Sequence, residues 1–245
     1  MTDFCVIIPA RYDSSRLSAK LLRDIHGKPL LQYAYENARN SGASSVIIAT
    51  DDSRIEAAAQ SFGASVCMTE KPHSCGTSRI SEALEILDIE DETVIVNLQA
   101  DEPMLSAKVI EQVANNLLSS NFPMATLCEK ITDKTQYLDQ NCVKVVFDKF
   151  GKALYFSRSP LPAFREIDDF DINLCFRHIG IYAYQAGFIK QYLSMESSNY
   201  EQAEKLEQLR ILNQGLEIHI APACENTGFG VDTLEDLEKV RQALK

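Results

Sequence analysis

Apolar stretches alternate with helix-period stretches from the start of the chain. FCVIIP, Phe4–Pro9, is an unbroken apolar run and predicts a buried strand; after a polar segment, a helix is predicted from about Leu30 to Ser41. Ser45–Ala49 predicts a second strand, and Ser53–Phe62 a helix with Ser53 as its N-cap. Ala64–Met68 predicts a third strand, and Ser78–Leu87 a helix with Ile80, Ala83, Leu84 and Leu87 on one face. Thr93–Leu98 predicts a fourth strand, after which Ser106 caps a helix running to about Leu118. The strand runs are continuous and rich in Val and Ile rather than alternating, the pattern of strands covered on both faces. Strand–helix units at this spacing imply a mainly parallel sheet with right-handed crossovers.

After residue 124 the rhythm changes. Met124–Cys128, Val143–Phe147, Ala153–Phe156 and Ile179–Tyr184 predict short strands without regular helices between them, and Asp148-Lys149-Phe150-Gly151 has the composition of a hairpin turn. Residues 164–172, FREIDDFDI, predict an exposed acidic loop. Helices are predicted again over Ala186–Leu193 and Glu201–Leu212, then a strand at Glu217–Ala221 and a last helix, Thr233–Leu244, opened by Asp232-Thr233. The expected fold class is α/β. Residues 1–124 form a mainly parallel, nucleotide-binding-type part, 125–222 a β-rich insertion that is the natural dimerisation surface, and 223–245 a segment whose helix returns to the first part.

The chain's 245 residues are ample for a buried core without disulfides or structural metal, and no apolar run approaches the ~18–20 residues that a transmembrane helix needs. Asp3 precedes the first apolar stretch where a secretory signal would carry positive charge, so the expected location is cytoplasmic. Net charge is −11, which argues against binding to nucleic acid or to an anionic membrane while leaving room for one basic pocket. That pocket has an obvious place: Arg11, Arg16, Lys20, Arg23 and Lys28 all fall in the first 30 residues. The seven cysteines are odd in number and include no C-x-x-C pair, so neither a disulfide framework nor a zinc ribbon is suggested. Cys5, Cys67 and Cys128 lie inside apolar runs and read as small core residues.

Three segments carry candidate chemistry. Pro9 to Leu22, PARYDSSRLSAKLL, follows the first strand and delivers Arg11, Arg16 and Lys20 to the carboxyl edge of a parallel sheet, where ligands bind in open α/β folds. Its small residues, Ala10, Ser14, Ser15, Ser18 and Ala19, let backbone N–H groups approach an anion. Neither G-x-G-x-x-G nor G-x-x-x-x-G-K-[ST] occurs. At the end of the fourth strand, NLQADEP sets Asp101 and Glu102 side by side, which suits Mg2+ held by one or two carboxylates plus substrate phosphates. The plainer reading is a polar strand end before Pro103. Near the C-terminus, GFGVDT places Asp232 before Thr233, where an aspartate reads first as a helix cap, with metal ligation as the alternative.

Taken in order, VIIPARY with SSRL and Lys20, HSCGTSR, VNLQADEP, VKVVFD with ALYFSR, RHIGIYAY, LEQLRIL and GVDT resemble the 3-deoxy-manno-octulosonate cytidylyltransferases from about Phe4 to the last helix. The resemblance implies a nucleotide-diphospho-sugar-transferase-like (Rossmann-like) α/β fold and a homodimer. It implies a Mg2+-dependent reaction in which CTP activates an octulosonate sugar acid to a CMP-sugar, with release of pyrophosphate, for lipopolysaccharide biosynthesis. By the same matches Arg11 and Lys20 bind the triphosphate, with Arg16 in the same loop, and Asp101 and Asp232 are the metal ligands; Arg11, Lys20, Asp101 and Asp232 then carry the catalysis. Ala10, Ser74, Cys75, Gly76, Arg79 and Gln99 fall at nucleotide-binding positions, and Arg158, His178, Tyr182, Glu207 and Gln208 at sugar-acid positions. Arg158 suits the acceptor's carboxylate, since a guanidinium pairs with it bidentately. Glu207 and Gln208 are consecutive on a predicted helix and so point about 100° apart; both serve one pocket only if the helix end faces it.

The departures from the family pattern cluster. The usual L-P-G-K-P-L stands here as Leu17-Ser18-Ala19-Lys20-Leu21-Leu22, and H-x-S-G-T-E-R as His73-Ser74-Cys75-Gly76-Thr77-Ser78-Arg79. Ala100 replaces a usual glycine and Phe229 a frequent threonine. The four charged residues persist, so catalysis is expected; the departures raise the 8-amino-3,8-dideoxy relative as an acceptor beside the unmodified acid. Another sugar acid, or a non-catalytic sugar-nucleotide-binding module, are the competing readings.

Overall fold

Strands that are apolar on both faces need helices on both, and the computed structural model has that layering; it describes residues 3–14, 16–70, 73, 75–166 and 169–245. The chain begins with β1 (Phe4–Ala10), a 3-10 turn at Lys20–Leu22, a short ribbon of β2 (Asp24–Ile25) and β3 (Lys28–Pro29), and α1 (Leu30–Arg39). It continues through β4 (Ser45–Thr50), α2 (Ser53–Ser61), β5 (Ser65–Met68), α3 (Gly76–Ile86), β6 (Val94–Asn97) and α4 (Ala107–Leu118). Next come β7 (Met124–Lys130), α5 (Lys134–Leu138), β8 (Lys144–Phe147) and β9 (Ala153–Ser157). The remainder is a 3-10 turn at Ile172–Leu174, β10 (Phe176–Gln185), α6 (Ala186–Ser194), α7 (Asn199–Glu204), α8 (Gln208–Asn213), β11 (Ile218–Pro222) and α9 (Leu234–Ala243).

The main sheet runs in the order β11-β7-β10-β6-β1-β4-β5. β1 pairs parallel with β4 and β6, β4 with β5, and β11 with β7, while β10 is antiparallel to both β6 and β7. The segment after residue 124 therefore extends the first sheet; only the antiparallel β8–β9 pair branches from it, along β10. Side chains of β1 divide between the two faces as the strand period requires. Phe4, Val6, Ile8 and Ala10 pack with Leu31, Val109 and Leu237, whereas Cys5 and Ile7 pack with Ile80, Leu84 and Ile189. Cys5, Cys67 and Cys128 are buried free thiols as expected, and burial pushes Cys128 up to about 12.

Local differences from the sequence reading have local causes. The N-cap of α2 is Asp52, not Ser53: its carboxylate accepts the Arg54 N–H at 2.9 Å. Leu87 lies just past the end of α3 and is exposed, so it is not part of the apolar face. The single helix expected over Glu201–Leu212 is broken into α7 and α8 at Lys205, whose φ of 54° is left-handed. In the acidic loop at 164–172, Arg165, Glu166, Asp169 and Asp171 are exposed, while Phe164 and Phe170 close around Tyr137; residues 167 and 168 lie outside the described residues. Among the described residues, no helix is long and apolar enough to cross a membrane.

The chain leaves β1 toward β4 and β5 and later returns to β6 on the other side of β1, which opens a crevice at the carboxyl ends of β1 and β6. Lys20 enters that crevice from the turn that begins at Ala19, which has φ 52° and ψ 34°. Left-handed backbone at a residue with a Cβ costs about 1–2 kcal/mol, against about 0.4–1 kcal/mol of unfolded-chain entropy that glycine would add. Ala19→Gly is accordingly expected to raise stability by up to about 1 kcal/mol in urea unfolding; a loss of stability would contradict this account of the turn.

Candidate active site

A cleft of about 290 Å³ opens where β1 and β6 end. Its lining includes Ala10, Arg11, Lys20, Cys75, Gly76, Arg79, Gln99, Asp101 and Glu207, which collects most of the residues expected at the nucleotide from four separate stretches of sequence. Ser74 lies outside the described residues. A second, more open cavity adjoins the first and is lined by Asn97, His178, Gly180, Tyr182, Lys205, Glu207 and Gln208. Gly76, Gln99 and Glu207 belong to both walls, so the two cavities are contiguous.

Lys20 is the centre of the first cleft. Its ammonium donates to Asp101 Oδ2 at 2.5 Å and to Asp232 Oδ1 at 3.1 Å, while Arg16 reaches Asp232 Oδ2 at 3.0 Å. Two carboxylates remote in sequence are thus brought within two hydrogen-bond lengths of each other. The Val231 N–H donates to the Asp101 carbonyl at 2.9 Å and fixes that approach through the backbone. Asp232 is not the cap of α9; Thr233 takes that place in a capping box with Asp236, which leaves the Asp232 carboxylate to the cleft.

The segment carrying Asp232 is latched from the other side. Arg177 donates to Glu129 Oε2, to Thr227 Oγ1 and to the Gly228 carbonyl, and Thr227 Oγ1 itself donates to Glu129 at 2.9 Å. Gly228 has φ +67°, and a Cβ there would lie 2.5 Å from Met104 Cβ; one at Gly230 would lie 2.7 Å from Glu102 Oε1. Both positions exclude a side chain because Glu102 and Met104 press directly on the backbone. Burial, with repulsion from Asp101 and Asp232, pushes Glu102 up to about 8.

The remaining cleft residues are held by identifiable partners. Arg79 is buried, anchored by Thr69 Oγ1 at 2.6 Å and Asp51 at 3.3 Å. Cys75 precedes α3, where Ser78 donates to its carbonyl at 2.9 Å and lies 3.2 Å from His73 Nδ1; the Ser78 departure closes the helix start on itself. Ala100 is buried with ordinary backbone geometry and so meets no penalty in place of glycine. Arg54 lies 3.3 Å over the Tyr12 ring and steadies the loop that carries Arg11. Arg11 itself is exposed and has no ion pair or hydrogen bond among the described residues.

In the second cavity, the break at Lys205 turns the start of α8 toward the opening, which lets the consecutive Glu207 and Gln208 both line it. Thr77 Oγ1 donates to Glu207 at 3.1 Å and ties α8 to the start of α3. Gln208 is buried and its Nε2 has no partner among the described residues. His178 and Tyr182 lie side by side at 5.4 Å, and burial pushes His178 down to about 3 and raises Tyr182. Arg158 is not brought into either cavity. Its Nε donates to the Glu204 carbonyl at 2.6 Å and its guanidinium to that of Gln140, while the buried Lys144 ammonium donates to the Arg158 carbonyl. Lys205, which no sequence motif singled out, is the cation on the second wall among the described residues.

A cytidylyltransferase family profile matches residues 5–218. The chain is 66% identical over 242 residues to a 3-deoxy-manno-octulosonate cytidylyltransferase of Ruthia magnifica subsp. Calyptogena magnifica, with 99% of each chain covered. It is 50% identical to one of Tolumonas auensis, covering 99% of this chain and 97% of that one. Among solved structures, it superposes with a TM-score of 0.91 and 40% identity on CMP:2-keto-3-deoxy-manno-octonic acid synthetase complexed with CTP, over 100% of this chain and 98% of that one. A cytidylyltransferase of Leptospira borgpetersenii serovar Hardjo-bovis, 16% identical with a TM-score of 0.62, shares the fold. With an ordered set of seven motifs, end-to-end identity to these relatives and one crevice lined by Arg11, Lys20, Arg79 and Asp101, the chain belongs to the 3-deoxy-manno-octulosonate cytidylyltransferase family.

Proposed function

We propose that this chain transfers the cytidylyl group of CTP to the anomeric hydroxyl of 3-deoxy-manno-octulosonate, forming the CMP-sugar and releasing pyrophosphate. The observation that carries the reading is the Lys20 ammonium between Asp101 and Asp232, in the wall of a cleft that also takes Arg11 and Arg79. The names of the end-to-end relatives favour this nucleotide and the unmodified acceptor. A module that only binds a sugar nucleotide has no need of cations placed to receive a departing pyrophosphate.

The donor set fits Mg2+. Two carboxylates already converge on one cationic nitrogen, and Mg2+ takes one or two carboxylates with substrate phosphates completing its shell. No group of three or more His, Cys, Asp or Glu side chains is disposed to hold a metal among the described residues, so phosphate oxygens are needed to complete it. Asp101 and Asp232 would hold the ion, which when bound supplies charge neutralisation and Lewis acidity at the α-phosphate.

The chain's own contribution is alignment and charge. Arg11 and Lys20 neutralise the β- and γ-phosphates as pyrophosphate leaves. Arg79 and the backbone at the start of α3 hold the nucleoside end, while Glu207, common to both cavities, sets the sugar acid against it. The acceptor's carboxylate faces Lys205; Arg158 acts on that corner by bonding to the Glu204 carbonyl. The reading includes a homodimer in which exposed Phe150 and Leu154, on the β8–β9 hairpin, meet a second copy; sedimentation as a monomer would contradict it.

Incubation with CTP, Mg2+ and either octulosonate, unmodified or 8-amino, is expected to yield the CMP-sugar by mass spectrometry, with the unmodified acid preferred. No product from either acid sinks the reading. Asp101→Ala, Asp232→Ala and Lys20→Met are each expected to lower turnover at least ~100-fold, the scale for losing one preorganised charge in a reacting site, with circular dichroism unchanged. Near-normal rates in either aspartate variant would reject the assigned role. Lys205→Met is expected to raise KM for the sugar acid about tenfold, roughly 1.4 kcal/mol, and to leave KM for CTP unchanged. Equal effects on both substrates would remove Lys205 from the acceptor site.

A further inference from the structure

β10 breaks its pairing with β7 where the second cavity begins. Ile179 pairs with Leu127 and pairing resumes at Tyr182 with Thr126, which leaves Gly180 and Ile181 as a bulge. The bulge turns the carbonyls of Ile179 and Ile181 onto the Thr126 side chain. Thr126 Oγ1 lies 3.2 Å from the first, 2.8 Å from the second and 3.0 Å from His178 Nε2. Thr126 is fully buried, so water does not compete for these positions.

A threonine hydroxyl has one proton and two lone pairs, and a carbonyl oxygen has lone pairs only. The Thr126 proton therefore goes to a carbonyl, Ile181 being the nearer, and Oγ1 has only acceptor capacity left for His178. A bare Nε2 would set lone pair against lone pair at 3.0 Å; Nε2 must donate. The ring is neutral, because burial pushes it down to about 3, and a neutral imidazole carries one N–H. Nδ1 is consequently a lone pair. It has no hydrogen-bond partner among the described residues, in a ring that lines the second cavity and is fixed by an edge contact with Phe156 at 5.0 Å.

We infer that Thr126 is a positioning residue that fixes His178 as the Nε2–H tautomer, so that Nδ1 accepts a hydrogen bond from a hydroxyl of the sugar acid and repels its carboxylate. The identity of the ligand rests on the proposed reaction; the tautomer does not. With Lys205 on the same wall, the cavity then has one cation for the carboxylate and one neutral acceptor for a hydroxyl, which orients a ligand carrying both.

The test is 15N spectroscopy of the full chain labelled at histidine, with the His178 signals assigned by their loss in His178→Gln. The expected spectrum shows a proton on Nε2 and none on Nδ1 at neutral pH, and the octulosonate moves the Nδ1 signal. Thr126→Ser is expected to keep the tautomer and hold KM within about twofold. Thr126→Val is expected to mix the tautomers and raise KM for the sugar acid about tenfold, with KM for CTP unchanged. A wild-type ring protonated on Nδ1, or a folded valine variant with unchanged tautomer and KM, overturns the inference. Should the valine variant not fold, the wild-type and serine spectra still decide the tautomer. Failure to turn over any octulosonate while the Nε2–H spectrum stands would fall on the proposed reaction instead.

Discussion

Two ionised carboxylates side by side repel unless a cation or a shared proton lies between them. Unit charges about 4 Å apart repel by about 4 kcal/mol at an effective dielectric of about 20, a large fraction of a domain's net stability. Where Asp101 and Asp232 meet, the largely buried Lys20 ammonium bonds to both, across 81 and 212 residues of sequence. That cluster joins the first βα connection, the end of β6 and the segment before α9 at one point. Without it, the crevice at the sheet's switch point would be a polar strand end of no special chemistry.

The rest of the site can be understood as support for that convergence. The backbone bond from Val231 to Asp101 and the Arg177–Glu129–Thr227 latch hold the C-terminal segment on two sides, and the close packing at Gly228 and Gly230 removes slack. Charge is concentrated in the first cleft, whereas the second cavity sets Lys205 and Glu207 beside buried neutral groups such as His178 and Tyr182. The two substrates of the proposed reaction differ in the same sense, one a polyanion and the other mostly hydroxyls.

Much of the fold was legible because β1, β4 and β6 are continuous apolar runs rich in Val and Ile, the pattern of strands covered on both faces. The crevice was legible for the same reason, since PARY and NLQADEP span the carboxyl ends of β1 and β6. What escaped depended on backbone conformation or on partners distant in sequence. The helix break at Lys205 has no proline or glycine to announce it, yet it alone turns Glu207 and Gln208 to one opening. Arg158 has the right chemistry for a carboxylate, but two backbone carbonyls hold its guanidinium elsewhere. Thr126 looks like any strand threonine; only the bulge opposite it gives its hydroxyl a role. Asp232 read first as a helix cap because a lone Asp before Thr fits that position, and the Thr233 capping box is what frees it.

The most direct measurement is anomalous diffraction from crystals of the chain grown with CTP and Mn2+. The account predicts a manganese peak bridging Asp101 and Asp232, with the Lys20 ammonium withdrawn from them and turned to the phosphates. A metal bound to neither carboxylate, with Lys20 still joining the two in the presence of nucleotide, would contradict it.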